Sequence, residues 1–263
     1  MSLASYTDYE IDEFRRCKRD PVYFIKKYFN IHHPKNGTML FNLYPYQERL
    51  VWAYHINTHN VTLASRQTGA SLCLVAYALW ASIFATGKHN TLLVSNKLDD
   101  ARYLLNTIRF AIDRLPHWVK PKLDIDNKST IAFYGEKVKI LTSAVTGDAA
   151  RGISVDLFLW DNAMYAKTNQ AFEMWDSVAP CLVAGAKCIV TNSGTKLLQC
   201  AEANIFYDLW RGALRDINNG MTANFVAWYE PPGRGVKFEE AVKRYISESE
   251  WRREYLCEFV VEE

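Results

Sequence analysis

The amino-acid sequence predicts an α/β fold, in which a mostly parallel β-sheet is covered by helices on both faces. Short apolar runs alternate with longer helical patterns from about residue 60 to residue 230. Strands that are buried on both faces have continuous apolar runs, and helical crossovers join them in parallel sheets. Hydrophobic residues form 49% of the chain and charged residues 23%, which provides for a large core and argues against disorder.

A polar leader, residues 1–43, comes before the predicted sheet, and it contains two predicted helices, Asp8–Arg19 and Asp20–Asn30. In the second helix Asp20 is placed to cap the first turn, with Pro21 at the first helical position. Six Arg and Lys residues make these two helices basic. It is either a solvated helix face or a contact for DNA or a partner protein.

The remaining elements follow from apolar periodicity and from turn residues. The predicted strands are Val61–Ala64, Thr91–Ser95, Thr130–Tyr134, Val138–Thr142, Val155–Trp160, Lys187–Thr191, Ala223–Tyr229 and Cys257–Val261. Helices are predicted from Pro45, from Ala70, and over Leu98–Leu115, Gln170–Leu182, Ile205–Arg215, Phe238–Ser247 and Glu248–Tyr255. Pro116 ends the third of these helices, and the sequence Pro-Pro-Gly at 231–233 breaks the chain before the last two.

Residues 60–79, NVTLASRQTGASLCLVAYAL, combine an apolar strand, a tight polar turn and an apolar helix. In phosphate-binding loops with this layout, backbone N–H groups converge on an anion at the helix N-terminus. The expected pattern is G-x-x-x-x-G-K-[ST], of which Gly69 and Ser71 are present. Ala64 replaces the first glycine, and Ala70 replaces the lysine. The stretch is therefore either not a phosphate loop or one that lacks its main charge.

A second apolar strand, Leu157–Trp160, ends in Asp161. Sites in parallel sheets lie at the carboxyl ends of the strands, where such an Asp can help to hold Mg²⁺. The alternative is an Asp that only caps the next turn. The following residue is Asn162, whose amide can orient a water molecule but cannot accept its proton.

Three other polar segments are candidate nucleotide contacts. Tyr46 and Gln47 come shortly before the loop, where a ring can stack on adenine and an amide can read its edge, or where the aromatic residues of a helix start only pack. Arg151 lies in a flexible Gly-rich loop and can stabilise charge on a transferred phosphoryl group, or is simply a surface residue. Thr191 and Asn192 end a strand and can sense a γ-phosphate, or belong to an ordinary turn.

Charge and cysteine content set limits on the function. The net charge of +2, from 31 basic and 29 acidic residues, neither requires nor excludes nucleic acid. The six cysteines form no C-x-x-C pair and no zinc-site spacing, so we expect reduced thiols and a cytosolic setting. We expect no signal peptide and no membrane insertion, since the longest apolar run is too short to span a bilayer.

The order of these motifs resembles the ATPase domain of the large terminase subunit, the DNA-packaging motor of tailed bacteriophages. SRQTGAS at 65–71 is similar to the family's SRQxGK[ST] loop, and DAARGIS at 148–154 to its arginine-bearing loop. LFLWDN at 157–162 resembles its strand–Asp–Glu motif, and VTNSG at 190–194 its coupling loop. The resemblance covers roughly residues 40–260. It implies a phosphate-loop NTPase of RecA-like (ASCE) type with a small helical lid subdomain.

The sequence departs from the family at three motifs. Ala70 stands at the lysine of the loop, Asn162 at the catalytic glutamate, and the coupling loop lacks a run of threonines. Arg66 is the nearby cation that can reach back to phosphate. The chain ends without the family's nuclease domain and without a clustered set of carboxylates, so we expect no DNA cleavage by this chain itself.

The resemblance assigns a site and a domain layout. The implied catalytic residues are Arg66, Arg151, Asp161 and Asn162, and the implied Mg²⁺ ligands are Ser71 and Asp161. The implied ATP contacts are Tyr46, Gln47, Ser65, Arg66, Gln67, Thr68, Gly69, Ala70, Ser71, Thr191 and Asn192. The implied layout is a helical lid segment over 1–43, an ATPase core over 44–230, and a lid and closing strand over 231–263.

The first functional hypothesis is an ATP hydrolase that binds ATP–Mg²⁺ and moves double-stranded DNA into a procapsid. By resemblance its partners are the portal of the procapsid, the small terminase subunit and further copies of the chain in a ring, with a monomer in isolation. Its place is the host cytoplasm, and transiently the procapsid. The second hypothesis is a catalytically silent nucleotide-binding or structural packaging subunit. A helicase-like translocase is disfavoured because the second motor domain is missing.

Overall fold

The computed structural model describes residues 6–33, 35–195, 204–215 and 219–259. Its helices are α1 (Asp8–Arg19), α2 (Pro21–Tyr28), α3 (Pro45–Ile56), α4 (Ala70–Ile83), α5 (Leu98–Asp113), α6 (Thr168–Val183), α7 (Ile205–Leu214), α8 (Val236–Lys243) and α9 (Glu248–Glu254), with a 3₁₀ turn at Ala163–Tyr165. Its strands are β1 (Asn30–His33), β2 (Gly37–Leu40), β3 (His59–Ala64), β4 (His89–Ser95), β5 (Leu123–Asp126), β6 (Thr130–Phe133), β7 (Val138–Ala144), β8 (Leu157–Asp161), β9 (Lys187–Ser193) and β10 (Thr222–Val226).

Eight strands form one sheet in the order β10-β3-β9-β8-β4-β7-β6-β5, and β1 pairs with β2 in a separate hairpin. From β10 to β7 every neighbouring pair is parallel, while β6 runs antiparallel to both β7 and β5. The predicted α/β fold with a mostly parallel sheet is confirmed. Strand β9 lies between β3 and β8, which brings the carboxyl ends of these three strands together.

Strand β8 shows why the apolar runs are continuous. Leu157 and Leu159 belong to the core on the face covered by helices α1 to α5. Phe158 and Trp160 belong to the opposite core, which includes helices α6 and α7. Because side chains alternate along a strand, a sheet buried on both faces needs apolar residues at every position.

The observed elements differ from the predicted ones at three places. Strands β1 and β2 lie in the leader, where no strand is predicted, because their four-residue sequences lack an apolar strand pattern. Strand β5 was not predicted. In the segment expected as a last strand, residues 257–259 are not a strand, since Cys257 has a φ of 57°, which extended backbone excludes. Residues 260 and 261 of that segment lie outside the described residues.

Helices α1 and α2 are joined by a buried carboxylate, that of Glu13. It accepts hydrogen bonds from the hydroxyls of Tyr23 at 2.7 Å and Tyr28 at 2.6 Å, and from Lys27 Nζ at 2.6 Å. Burial alone would raise the pKa of Glu13, but the hydrogen bonds from Lys27, Tyr28 and Tyr23 outweigh it and lower the pKa to about 2. The ionised carboxylate therefore stabilises the packing of the two helices.

Replacing Glu13 with Gln tests this cluster. We expect the free energy of unfolding at pH 7 to fall by about 2–4 kcal/mol, because Lys27 loses its buried partner. The native pKa lies below the ordinary value of 4.5, so the contribution of the carboxylate is complete above pH 4.5 and is lost as the pH falls toward 2.

Urea denaturation of both proteins between pH 7 and pH 3 measures the difference. The control is Asp12→Asn in the same helix, whose partner Arg15 is exposed, and which we expect to change stability by less than about 0.5 kcal/mol. A gap between wild type and Glu13→Gln that does not narrow as the pH falls would contradict the assignment.

Candidate phosphate-binding site

The predicted loop connects the carboxyl end of β3 to the first turn of α4. Gly69 has a φ of 80°, and a Cβ there would lie 2.7 Å from Gln47 Nε2, so both backbone and packing require glycine. The Thr68 hydroxyl donates to the Ser65 carbonyl at 3.0 Å, which tightens the turn. The hydroxyl of Ser65 is buried and has no hydrogen-bond partner among the described residues. A compact turn therefore leads directly into the N-terminus of α4, which is the arrangement that binds anions through backbone N–H groups.

Tyr46 and Gln47 lie beneath this loop. The Tyr46 hydroxyl donates to the Thr68 carbonyl at 2.8 Å, and Gln47 Nε2 donates to the same oxygen at 3.0 Å. Gln47 Oε1 accepts from the Tyr44 backbone at 3.0 Å. Both side chains are buried. The structure thus gives these two residues contacts that support the loop, while the ring that is exposed is that of Tyr44, which stacks on Tyr46.

The Asp161 carboxylate is the point where the strands of the site meet. It is 4% exposed, and its Oδ1 accepts from Ser71 Oγ at 2.9 Å and from Thr191 Oγ1 at 2.8 Å. Burial raises the pKa of Asp161, and the hydrogen bonds from Thr191 and Ser71 oppose the rise. No basic side chain of the described residues forms an ion pair with it. In the described part of the chain the buried carboxylate has no cationic partner, and it lies beside the Ser71 hydroxyl. This pair of oxygen groups fits Mg²⁺, which takes oxygen ligands and completes its coordination with waters or phosphate oxygens.

The described residues hold no cluster of three or more His, Cys, Asp or Glu side chains that could bind a metal. Any cation at Asp161 and Ser71 would thus need ligands from water or from a bound phosphate, which is how Mg²⁺ is commonly held. The donor set is compatible with a metal that arrives together with a nucleotide.

Asn162 and Asn192 have different surroundings. Asn162 adopts a φ of 56°, a left-handed conformation that Asn tolerates better than most residues, and its Nδ2 donates to Asp161 Oδ2 at 3.2 Å. Asn192 is buried, its Oδ1 accepts from the Met164 backbone at 2.9 Å, and its Nδ2 donates to the Gly194 carbonyl at 2.8 Å. Asn192 therefore links β9 to the turn after β8, while Thr191 contacts Asp161.

A cleft of about 430 Å³ lies at this edge of the sheet. Its lining residues are Arg66, Asn96, Lys97, Asp100, Asn162, Tyr165, Ser193 and Glu254. Arg66 and Asn162 are predicted site residues, and Ser193 lies within the predicted coupling loop, while the other five are not predicted from the sequence. Asn96 and Lys97 directly follow strand β4, so the rule that selected Asp161 could have found them. Glu254 comes from α9 near the end of the chain, and no local sequence signal connects it to the loop.

The outer side of the loop contacts the C-terminal part of the chain. The Arg66 backbone donates to the Glu254 carbonyl at 3.0 Å, and Arg66 Nη1 lies 3.4 Å from Glu254 Oε2. Arg234 donates to the carbonyls of Arg66 at 3.0 Å and Gln67 at 2.9 Å. The guanidinium of Arg66 is therefore engaged with Glu254 at the rim of the cleft. Arg234, which is not predicted from the sequence as a site residue, holds the loop backbone.

Arg151 does not line the cleft. Its side chain is 71% exposed and pairs with Asp148 at 2.9 Å within their own loop. The structure thus brings together Ser71, Asp161, Asn162 and Thr191, with Arg66 at the rim, and leaves Arg151 on the surface.

No family model matches the sequence. Among solved structures, the chain is similar to an arginine-to-alanine mutant of the large terminase ATPase domain of Thermus phage P74-26, with a TM-score of 0.63 and 19% identity over 80% of this chain and 93% of that one. It is also similar to the HK97 large terminase, with a TM-score of 0.65 and 13% identity over 86% of this chain and 47% of that one.

A third similar structure is the large terminase of a thermophilic bacteriophage, solved also with ADP and with ATP-γ-S. In its complex with ADP the TM-score is 0.61, with 14% identity over 82% of this chain and 53% of that one. The chain spans about half the length of this terminase and of the HK97 protein. At these identities the likeness concerns the fold, and the chain has the fold of phage large terminase ATPase domains.

Proposed function

We propose that the chain is the ATPase domain of a viral DNA-packaging motor, a large terminase subunit that binds ATP–Mg²⁺ and couples it to translocation of double-stranded DNA into a procapsid. The observation that carries the proposal is the convergence of Ser71 and Thr191 on the buried carboxylate of Asp161, beside the loop that begins α4. The structural likeness to terminase ATPase domains supports it independently.

The chemistry follows from these contacts. The backbone N–H groups of residues 67–71 and the N-terminus of α4 would bind the β- and γ-phosphates. Asp161 and Ser71 would hold Mg²⁺, which when bound neutralises charge that develops on the phosphoryl oxygens. Ala70 supplies no cation, so Arg66 would turn from Glu254 toward the phosphates. Adenine would contact the segment of Tyr46 and Gln47, where the exposed ring of Tyr44 offers a stacking face.

The proposed partners are double-stranded DNA, the procapsid portal, the small terminase subunit and further copies of this chain. The exposed position of Arg151 favours a role in the site of a neighbouring copy within a ring over a role in its own cleft. An arginine supplied from a neighbour stabilises transition-state charge and makes hydrolysis depend on assembly. Among the described residues no helix is long and apolar enough to cross a membrane.

The second candidate function is a catalytically silent packaging subunit that binds nucleotide for assembly. Ala70 is a buried small residue at the start of α4, and Asn162 is neutral and holds Asp161. Both positions would lack the groups that a phosphate-loop ATPase uses for phosphate charge and for water activation.

Calorimetric titration with ATP tests binding. We expect the unmodified chain to bind ATP only with Mg²⁺ present, and Asp161→Asn to remain folded but to lose at least about tenfold in affinity and the dependence on Mg²⁺, because the metal ligand becomes neutral. The control is Asp156→Asn, just before the amino end of the same strand. Absence of heat at millimolar ATP with Mg²⁺ would exclude the proposed site.

Two glycine substitutions test whether the loop geometry is required. Gly69→Ala adds a methyl group against Gln47 at a positive φ, so we expect a loss of about 2 kcal/mol or more in stability together with weaker ATP binding. Gly87→Ala is the matched control, because Gly87 has a φ of 95° and open space around its Cα. We expect Gly87→Ala to lose about 1 kcal/mol in the free energy of unfolding and to bind ATP with unchanged affinity. Equal affinities in the two variants would argue against nucleotide binding at this loop.

Phosphate release in the presence of DNA tests catalysis. We expect the unmodified chain to hydrolyse ATP and Arg66→Ala to slow it by at least about tenfold, because the cation nearest the missing lysine is removed. Arg244→Ala, an exposed arginine at the end of α8, is the control. If only the double variant Ala70→Lys/Asn162→Glu has activity, the chain is instead the silent subunit.

A further inference from the structure

Glu254 is a carboxylate of the cleft that the proposed function does not use. Its side chain is 15% exposed and faces the same cleft as Asn162. The Tyr165 hydroxyl lies 3.3 Å from Glu254 Oε1, in a geometry in which it donates, and Arg66 Nη1 lies 3.4 Å from Oε2. The carboxylate is thus held by the phosphate loop on one side and by the 3₁₀ turn after β8 on the other.

Gly194 brings Glu254 close to the sheet. A Cβ on Gly194 would lie 2.7 Å from Glu254 Oε2 and 3.1 Å from Glu254 Cα, so the approach depends on the absence of a side chain. The backbone N–H of Thr195 donates to the Arg253 carbonyl at 2.9 Å. These contacts fix the end of α9 against the carboxyl end of β9, the strand that carries Thr191.

Hydrolysis of a phosphoanhydride needs a group that can take a proton from water, and the other polar groups of the cleft are poorly suited to this. Asp161 is buried and already accepts three hydrogen bonds, from Ser71, Thr191 and Asn162. The Asn162 amide has no basic site. Asp100 is exposed at the first turn of α5 and forms no ion pair with a described residue, so no such contact holds its carboxylate in position for proton transfer.

We propose that Glu254 is the general base that activates the attacking water, an inference that rests on the proposed ATPase function. The water oxygen forms a bond to the γ-phosphorus while the bond from that phosphorus to the β–γ bridging oxygen breaks. The bridging oxygen leaves on ADP with the electron pair, and the proton of the water passes to the Glu254 carboxylate. Arg66 leaves Glu254 when it turns toward the phosphates, and the loss of this ion pair frees the carboxylate to accept the proton.

The test compares Glu254→Gln with Glu230→Gln under saturating ATP–Mg²⁺. Glu230 is a matched control, since it pairs with Arg49 at 2.7 Å, is 20% exposed and lies outside the cleft. We expect Glu254→Gln to slow phosphate release by about 10²-fold or more while the calorimetric Kd for ATP stays within about threefold. We expect Glu230→Gln to keep the rate within about twofold.

A rescue variant separates catalysis from structure. In Glu254→Gln/Asn162→Glu a carboxylate returns to the cleft at residue 162, and we expect at least about a tenfold recovery of the rate. A structural role of Glu254 predicts that Glu254→Gln slows the Asn162→Glu variant by the same factor as it slows the unmodified chain, because residue 162 cannot restore the contacts with Arg66 and Tyr165. A role as the base predicts that this loss nearly disappears in the Asn162→Glu background. If Glu254→Gln does not fold, Glu254→Asp takes its place, with a loss of rate of about tenfold or more at unchanged affinity.

The outcomes distinguish this inference from the function on which it rests. An unchanged rate in Glu254→Gln would overturn the role of Glu254 and leave the ATPase function intact. An unmodified chain that binds ATP–Mg²⁺ without releasing phosphate would overturn the role and favour the silent subunit. An unmodified chain that does not bind ATP–Mg²⁺ would overturn the proposed function itself.

Discussion

The hydrogen-bonded carboxylate of Asp161 is the constraint on which the site depends. Ser71 from α4 and Thr191 from β9 both donate to it, so three elements that are distant in sequence must meet at one atom. These elements can meet because β9 lies between β3, which leads into α4, and β8, which ends in Asp161. A buried carboxylate without a cation lowers the stability of the folded protein. The arrangement of the strands therefore favours a ligand that brings a metal ion to Asp161.

The phosphate loop is held by buried contacts on one side and by contacts near solvent on the other. Tyr46 and Gln47 contact it from beneath through a buried carbonyl, and these contacts leave little freedom to Thr68 and Gly69. Arg234 and Glu254 contact it from outside, through groups near solvent. The inner side therefore fixes the shape of the loop, while the outer side can exchange partners when an anion binds, because the ion pair of Arg66 is long and partly exposed.

The sequence was sufficient to predict the fold and to select the side chains that converge on Asp161, because both depend on local patterns. Apolar runs that end in polar residues located Asp161 and Thr191, and the strand–turn–helix pattern located Ser71. It was insufficient for Glu254 and Arg234, which reach the loop from about 170–190 residues away and carry no local signature. It also assigned adenine recognition to Tyr46 and Gln47, whose side chains lie under the loop. Periodicity does not reveal which way a buried polar group points.

The contacts of the loop also bear on how the protein folds. Residues 66–68 bond to partners 21, 168 and 188 positions away in the sequence. Contacts between remote segments form slowly, because the entropy of closing a long chain must be overcome before they add stability. During synthesis, a chain that stops before Arg234 has the loop sequence but lacks both of its outer supports. We therefore expect nucleotide affinity to develop late in folding, after the sheet has formed.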